Sequence, residues 1–380
     1  MNFEFTEEQL MIRDAARDFA QRDLLSDVIE RDHKAEYPTK HIKDLSELGF
    51  MGMMVDPKYE GGGMDTVSYV LAMEEISKVD ASVSVIMSVN NSLVCYGIQK
   101  YGTEEQKTKY LPDLATGRKI GAYLLSEPEA GSDATMQRTT AEEMGDYYLI
   151  NGTKNWITNA NSGSVYIVIA QTHPEKRHHG INAFIVDKDT PGISLGPHED
   201  KMGMRSSDTH SVMFTDVKVP KENRIGEDGF GFKFAMKALE AGRIGIAAQA
   251  LGIASGALER SVQYAKERKA FGTEIANHQA IAFKIADMAV KVENARNLCL
   301  KAAWMKDNGK AFAIEGSMAK QYCADIAMEV TTEAVQIHGG YGYVKEYHVE
   351  RLMREAKLTQ IYEGTSEVQK IVISRSLLRD

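Results

Sequence analysis

Cysteine is scarce in this chain of 380 residues, and the three present, Cys95, Cys299 and Cys323, stand far apart with no paired spacing. This excludes a disulfide framework and any C-x-x-C motif. Each lies in an apolar helical stretch, as buried thiols of a reducing compartment do. A basic excess is also missing. With 45 Lys and Arg against 54 Asp and Glu, the formal net charge is -9 and the pI is near 5.7, which disfavours nucleic acid as a partner. Apolar runs such as Ile244 to Ala254 are broken by Gly and Gln well short of the roughly 20 residues that span a bilayer, so no membrane insertion is expected. The amino terminus, MNFEFTEEQLMIRDAARDF, has neither the layout of a secretory signal nor the acid-poor bias of a transit peptide. A cytoplasmic prokaryotic protein is expected, or a mitochondrial matrix enzyme without its presequence.

Several chemical signatures are absent too. No G-x-G-x-x-G joins a strand to a helix, since Gly229, Gly231 and Gly339, Gly340, Gly342 miss the spacing. There is no Walker loop and no H-E-x-x-H. His178 and His179 sit in a polar loop with Lys176 and Arg177, which reads as a solvated turn and not as a metal site.

What is present is an ordinary globular composition, 43% hydrophobic and 26% charged, in a chain long enough for two or three packed units. From Thr6 to about Gly117 apolar residues recur at helical spacing, as in Leu10, Ile12, Ala15 and Phe19. Pro57 and Gly61 to Gly63 separate helices there, and Val83 to Leu93 reads as a helix buried on most sides. From Lys119 to about Ile225 short β-rich runs alternate with Gly, Asn and Asp turns: Ile120 to Leu125, Tyr147 to Ile150, Val165 to Ala170, Ala183 to Val186 and Ser211 to Phe214. They are too close together for crossover helices, so a mostly antiparallel sheet is expected. After Gly231 the helical period returns in Phe232 to Tyr264, Gln279 to Asp307, Ala311 to Ile337 and Ser366 to Leu378. Apolar stripes this wide suggest a bundle whose remaining faces meet another subunit.

Five segments carry candidate chemistry. Tyr123 to Ala134, YLLSEPEAGSDA, ends a β run at Pro128 and turns through Gly131. Its N–H groups and the Ser126 and Ser132 hydroxyls are free to bond a ring or phosphate, although a plain loop reads the same. In NGTKNWITN, Asn151-Gly152 reads as a hairpin turn, followed by a strand with Trp156 and Thr158 on one face. Those two either flank a planar cofactor or fill core. ERKAFGTEIANHQ sets Arg268 and Lys269 at a helix end before Phe271 and Gly272, where a cation also serves the helix dipole. QIHGGYG breaks a helix with a double glycine, as a terminus or to admit a ligand close to backbone. In TQIYEGTSEVQ, Ser366 and Gln369 read as a capping box, leaving Glu363 on a loop loosened by Gly364. Such a carboxylate is either a base or surface decoration.

Taken together, YLLSEPEAGSDA, NWITN, LEAGRIGIAAQALG (Leu239 to Gly252), ERKAFG with HQ, QIHGGYGY and IYEGTSEVQ resemble the acyl-CoA dehydrogenase family, in family order across essentially the whole chain. The resemblance implies an α+β fold that is mainly α. Its parts would be an N-terminal helical domain (1-118), a central antiparallel β domain (119-228) and a C-terminal four-helix bundle (229-380), in agreement with the periodicity. It also implies FAD. Tyr123, Leu125, Ser126, Gly131 and Ser132 would line the flavin and thioester, with Trp156, Ile157 and Thr158 at the flavin face. Arg268, Phe271, His278 and Gln279, together with Gln336, Ile337, Gly339 and Gly340, would hold the pyrophosphate and adenosine, partly across a dimer contact. Thr365 and Glu367 would border the same cofactor. Ser132, Glu240, Arg243 and Gly364 match substrate-side positions, Glu240 more loosely because many relatives carry Asp there.

Glu363 is the base that the resemblance implies. Relatives specialised for isovaleryl or long-chain thioesters carry their Glu one residue before the Arg of the LEAGR segment and a small residue at the Glu363 position. Here that place is Gly242. The pattern resembles the short- and medium-chain branch, and LEAGRIGIA resembles short-chain butyryl-type enzymes most. No Arg occurs from Val79 to Lys100, so the free carboxylate of a dicarboxylyl substrate would lack a buried partner. The implied reaction is α,β-dehydrogenation of a short-chain acyl-CoA to trans-2-enoyl-CoA. Desolvation by the acyl chain is expected to raise the Glu363 pKa. Electrons would pass to an electron-transferring flavoprotein, from an enzyme that is a homotetramer, a dimer of dimers. A branched short-chain dehydrogenase and an acyl-CoA oxidase are the rival enzymes. A non-catalytic or DNA-binding member is a remote alternative, the latter disfavoured by the acidic balance and by a chain that stops at Asp380 soon after the last helix.

Overall fold

A computed structural model describes residues 4-378. The N-terminal part is helical: α1 (Glu7–Phe19), α2 (Val28–Lys34), α3 (Thr39–Glu47), α4 (Thr66–Ser77), α5 (Ala81–Ser88), α6 (Tyr96–Tyr101) and α7 (Glu104–Ala115). Capping residues start several of these. Thr6 and Gln9 form a reciprocal capping box ahead of α1, Thr103 and Gln106 do the same for α7, and Asp80 accepts the Ser82 and Val83 N–H groups to open α5.

A π-helical stretch, Val89–Cys95, links α5 to α6. The run Ala81–Tyr101 has 21 residues and a mean hydropathy of 1.3, enough by length and composition to cross a membrane. This corrects the expectation that no such run exists. Its position explains its composition: 94% of the apolar window is buried inside the protein, so the segment is the central core helix of the N-terminal unit. The wider π turn aims two buried amides at backbone. Asn91 serves the Phe50 and Met87 carbonyls and the Met53 N–H, while Asn90 donates to Met51 and Leu114 and accepts from Gly121 N–H at 2.8 Å. That last bond fixes where the first strand leaves the helical body.

The strands are β1 (Gly121–Leu124), β2 (Thr140–Glu143), β3 (Tyr147–Thr158), β4 (Val165–Gln171), β5 (Ile181–Asp187), β6 (Ile193–Leu195), β7 (Thr209–Pro220) and β8 (Arg224–Ile225). They form one sheet in the order β6-β7-β3-β2-β4-β5-β8, with β1 also on β4. Most pairs are antiparallel, but β1 and β2 each meet β4 in parallel. The strand β4 is buried on both faces. Val165, Ile167 and Ile169 face the helical core, and Tyr166, Val168 and Ala170 face a second core inside the sheet unit, which is why it reads as an unbroken apolar run. Asn151-Gly152 is not a hairpin turn. The strand β3 runs straight through it, with a register shift against β7 between Ile150 and Gly152. The turn between β2 and β3 falls instead at Gly145, whose φ of +88° only glycine adopts freely.

The C-terminal part consists of α8 (Gly231–Glu267), a small hairpin of β9 (Lys269–Ala270) and β10 (Thr273–Glu274), then α9 (Gln279–Asp307), α10 (Ala313–His338), α11 (His348–Thr359) and α12 (Ser366–Leu378). Helices α8 to α11 make the bundle, and α12 packs on α10. The Gly-rich stripe of α8 lets α4 approach closely: a Cβ at Gly252 would stand 2.5 Å from the Ser77 Cβ. The bundle and N-terminal helices therefore share one core.

Candidate active site

After α11 ends, Glu363 and Gly364 both adopt left-handed backbone, with φ of +51° and +89°. Glutamate pays for this conformation, so the loop needs external ties. Lys320 Nζ on α10 donates to the Gly364 carbonyl at 2.6 Å, and Gln369 Nε2 donates to the same carbonyl at 2.9 Å and to that of Glu363 at 3.4 Å. The expected Ser366/Gln369 capping box does not form. Thr365 Oγ1 caps α12 by accepting the Val368 N–H, Ser366 Oγ donates to Asp325, and Gln369 reaches back to the loop.

The Glu363 side chain turns inward over α8. Its Oε2 is buried without a hydrogen-bond partner, beside Gly242, where a Cβ would overlap that oxygen and lie 2.8 Å from Leu93 Cδ2. Burial lifts the Glu363 pKa to about 7, and the nearby charges of Lys320 and Arg243 restrain the rise. Arg243, the next residue on α8, is itself buried. It donates from Nη1 to Ser317 Oγ at 3.0 Å and leaves Nε without a partner. Burial lowers its pKa against the pull of Glu240 and Glu363. Glu240, one turn earlier, pairs with Lys237 at 2.8 Å. Three phenols surround the carboxyl electrostatically: Tyr69, Tyr123 and Tyr362 all have raised pKa values, from burial first and from the Glu363 charge in addition. The Tyr123 hydroxyl is buried without a partner.

The sheet unit supplies the flank. A buried ion pair that the motif reading missed, Lys154 Nζ to Glu127 Oε1 at 2.8 Å, pins the Tyr123 to Ala134 segment onto β3. Lys154 also donates to the Leu125 carbonyl and to Gln137, and Glu127 accepts the Arg138 and Thr139 N–H groups. Burial pulls Lys154 down to about 8 despite its partner. The signal was readable, because alternation from Ile150 puts Lys154 on an inward position. A second register shift, between Lys154 and Ile157, gives Trp156 a φ of +60° and turns its ring outward, 61% exposed, while Ile157 stays buried and Thr158 half-buried. Trp156 is thus not core, and the bulge rather than simple alternation sets its direction. Leu125 and Ser126 are half-buried, whereas Gly131 and Ser132 are exposed.

The third group lies elsewhere. Arg268, Ile337, Gly339 and Gly340 line a cleft of 830 Å³ at the far end of the bundle, with the Arg268 guanidinium 5.4 Å over the Tyr341 ring. Phe271 is 98% exposed and meets the His278 ring edge-on; Gln279 and Gln336 are exposed. Thr365 and Glu367 line a smaller cleft of 480 Å³ beside Asp325. Arg268 follows the end of α8, about 39 Å along the helix from Gly242 at about 1.5 Å of rise per residue. One chain therefore gathers Glu363, Gly364, Glu240 and Arg243, and holds Arg268, Phe271 and the double glycine apart from them.

This fold, and a buried carboxyl facing an α8 glycine beside a flanking sheet, define a class. The chain belongs to the acyl-CoA dehydrogenase family, a family of flavoproteins: its N-terminal, middle and C-terminal domain profiles match residues 6–118, 122–217 and 229–378. It is similar to a short-chain specific acyl-CoA dehydrogenase of Megasphaera elsdenii, 49% identical over 383 residues covering 100% of both proteins. Among solved structures it is similar to the butyryl-CoA dehydrogenase of Megasphaera elsdenii, with a TM-score of 0.98 and 49% identity over 100% of both chains. A chain in a structure of the electron transferring flavoprotein of Acidaminococcus fermentans matches with a TM-score of 0.99 and 50% identity, again over 100% of both chains.

Proposed function

We propose that this chain catalyses the FAD-dependent α,β-dehydrogenation of a short-chain acyl-CoA to trans-2-enoyl-CoA, with Glu363 as the base. The observation that carries this reading is the Glu363 carboxyl, buried, free of hydrogen bonds at Oε2 and raised to about 7. A thioester α-hydrogen is a weak acid, and a base with a raised pKa narrows the gap. Donors aimed at the thioester carbonyl stabilise the developing enolate, and the Glu363 backbone N–H is one proposed donor. Bound FAD supplies a two-electron acceptor for the β-hydride.

The residues present fit such a cofactor. Beyond their chain neighbours, Gly131, Gly339 and Gly340 have no protein atom within 4 Å of a built Cβ, and Trp156 offers an outward ring. In this reading Tyr123, Leu125, Ser126, Gly131, Ser132, Trp156, Ile157 and Thr158 hold the flavin end. The Arg268 cleft holds the adenosine end of a cofactor whose other end lies on a second protomer, in a dimer of dimers. The separation along α8 supports a shared site, because a single chain does not bring the two groups together. The boundaries near residues 118 and 228 are proposed on the change of secondary structure. The match to a chain from an electron transferring flavoprotein structure supports such a flavoprotein as the electron acceptor.

Short acyl chains are favoured by Gln249. It is fully buried, accepts from the Tyr362 hydroxyl, and donates to the Ala81 carbonyl and Ser84 Oγ, each at 2.9 Å. A longer chain entering past Tyr362 would have to break bonds between buried polar groups, which is costly.

Anaerobic titration of the FAD-loaded protein with butyryl-, octanoyl-, palmitoyl-, isobutyryl- and isovaleryl-CoA tests the reading. Fastest bleaching by butyryl-CoA is expected, and bleaching by none of them would overturn it. Hydrogen peroxide release in air would favour an oxidase instead.

A further inference from the structure

We infer that Lys320 is a positioning residue for the base: it ties the Glu363–Gly364 loop to α10 and supplies the nearby positive charge that keeps the carboxyl ionisable. This rests on the reading of Glu363 as the base.

Lys320 is fully buried, and burying an ammonium is costly unless its charge is answered. Among the described residues it makes no direct ion pair. Its Nζ donates to the Gly364 carbonyl, immediately after Glu363. One turn earlier on the same face of α10, Ser317 accepts from Arg243. Thus α10 anchors one of the two cations around Glu363 directly and uses the other to hold the loop. Neither forms a salt bridge with the carboxylate, and Oε2 remains without a partner. A bidentate salt bridge would stabilise the anion so strongly that it would be a poor base; complete removal of charge would leave the buried acid protonated. Two cations that act on the carboxyl without bonding to it give the intermediate case.

The charged groups facing Lys320 are Glu363 and Glu367 from the loop and α12, Arg243 from α8, and Asp325 from α10 itself. Asp325 is already engaged by Ser366, Gln360 and Gln321. Glu367 is exposed, where water screens it. Glu363 is therefore the buried anion that this ammonium answers. Gln369 donates to the same Gly364 carbonyl but carries no charge, so the tether and the field are separable by mutation.

The test is an infrared titration of the resting protein. The difference between wild type and Glu363→Gln isolates the carboxyl band of Glu363 and gives its midpoint without turnover. Lys320→Met is expected to move that midpoint up by at least about one pH unit, a tenfold change in ionisation. The acid limb of the flavin-bleaching rate with butyryl-CoA should move with it, lowering kcat at pH 7 far more than at pH 9. Lys320→Arg should return the midpoint towards wild type, and Gln369→Leu should leave it in place. If Lys320→Met does not fold, Lys320→Gln, which keeps a donor without the charge, carries the same expectation. An unmoved midpoint in a folded Lys320→Met or Lys320→Gln protein would overturn the inference. Failure of the wild type to bleach, or full bleaching by Glu363→Gln, would instead overturn the assignment of the base.

Discussion

Gly242 and Glu363, 121 positions apart in the chain, occupy one point in space: a Cβ built on Gly242 overlaps Oε2 of Glu363 and stands 3.1 Å from its Cδ. The glycine is the space into which the carboxyl fits. Gly242→Ala is expected to keep the fold and to lower turnover by about 100-fold or more, the scale of an ångström-sized displacement of a catalytic group. The same convergence means that a glutamate can arrive from either side. Gly242→Glu combined with Glu363→Gly should bleach flavin with butyryl-CoA faster than Glu363→Gly alone, measured by stopped flow. Equal rates would mean that the two positions do not converge in solution.

The raised carboxyl also makes a stability prediction. Its folded pKa, about 7, lies above the ordinary value of 4.5, so the folded state holds a proton that the unfolded state has released. Ionisation therefore costs stability progressively from pH 4.5 to 7, and the cost is constant above that range. Glu363→Gln should melt above wild type at pH 8, with the difference shrinking towards zero near pH 4.5 in thermal scans.

The pair of Lys154 and Glu127 holds the Tyr123 to Ala134 segment on β3. Lys154→Met leaves Glu127 buried and unpaired, and a loss of about 3–5 kcal/mol in denaturant unfolding is expected. Adding Glu127→Gln should recover part of it, because the neutral amide keeps an acceptor for one of the two N–H groups that Glu127 now serves.

A shared cofactor site predicts complementation. A Trp156→Ala, Ser126→Ala protomer and an Arg268→Ala protomer should each retain FAD poorly as homo-oligomers. Co-expressed with different tags and purified as the mixed species, they should hold FAD in one of the two sites of each dimer, because one site then draws its intact halves from both chains. Mixed species no better than either parent would place the whole site within one chain.

Much of this architecture is legible without coordinates. Helices α9 and α12 begin and end where apolar spacing puts them, because long amphipathic segments carry a strong periodic signal. Helix α11 escapes the reading because it follows the double-glycine break closely and is only three turns long. The strands β2 and β6 escape too, being three or four residues each, with β2 largely exposed and β6 mostly half-buried. The Asn151-Gly152 pair misleads for a physical reason: the same left-handed freedom that makes a tight turn also makes a bulge, and only the pairing with β7 decides between them. Trp156 stays open between core and cofactor flank in the sequence, since alternation cannot foresee an outward ring at a second bulge. At the site, Glu363 is found by motif. Lys320 is not, and Gln369 is read only as a capping residue, because nothing in local spacing reports that α10 and α12 converge on one carbonyl.

The most direct measurement mixes FAD-loaded protein with butyryl-CoA under anaerobic conditions and follows the flavin absorbance for wild type and Glu363→Gln side by side. The account predicts rapid bleaching of the wild type and a rate lower by at least about 10² to 10⁴ in a variant that remains folded and yellow. Equal bleaching rates in the two proteins would contradict it.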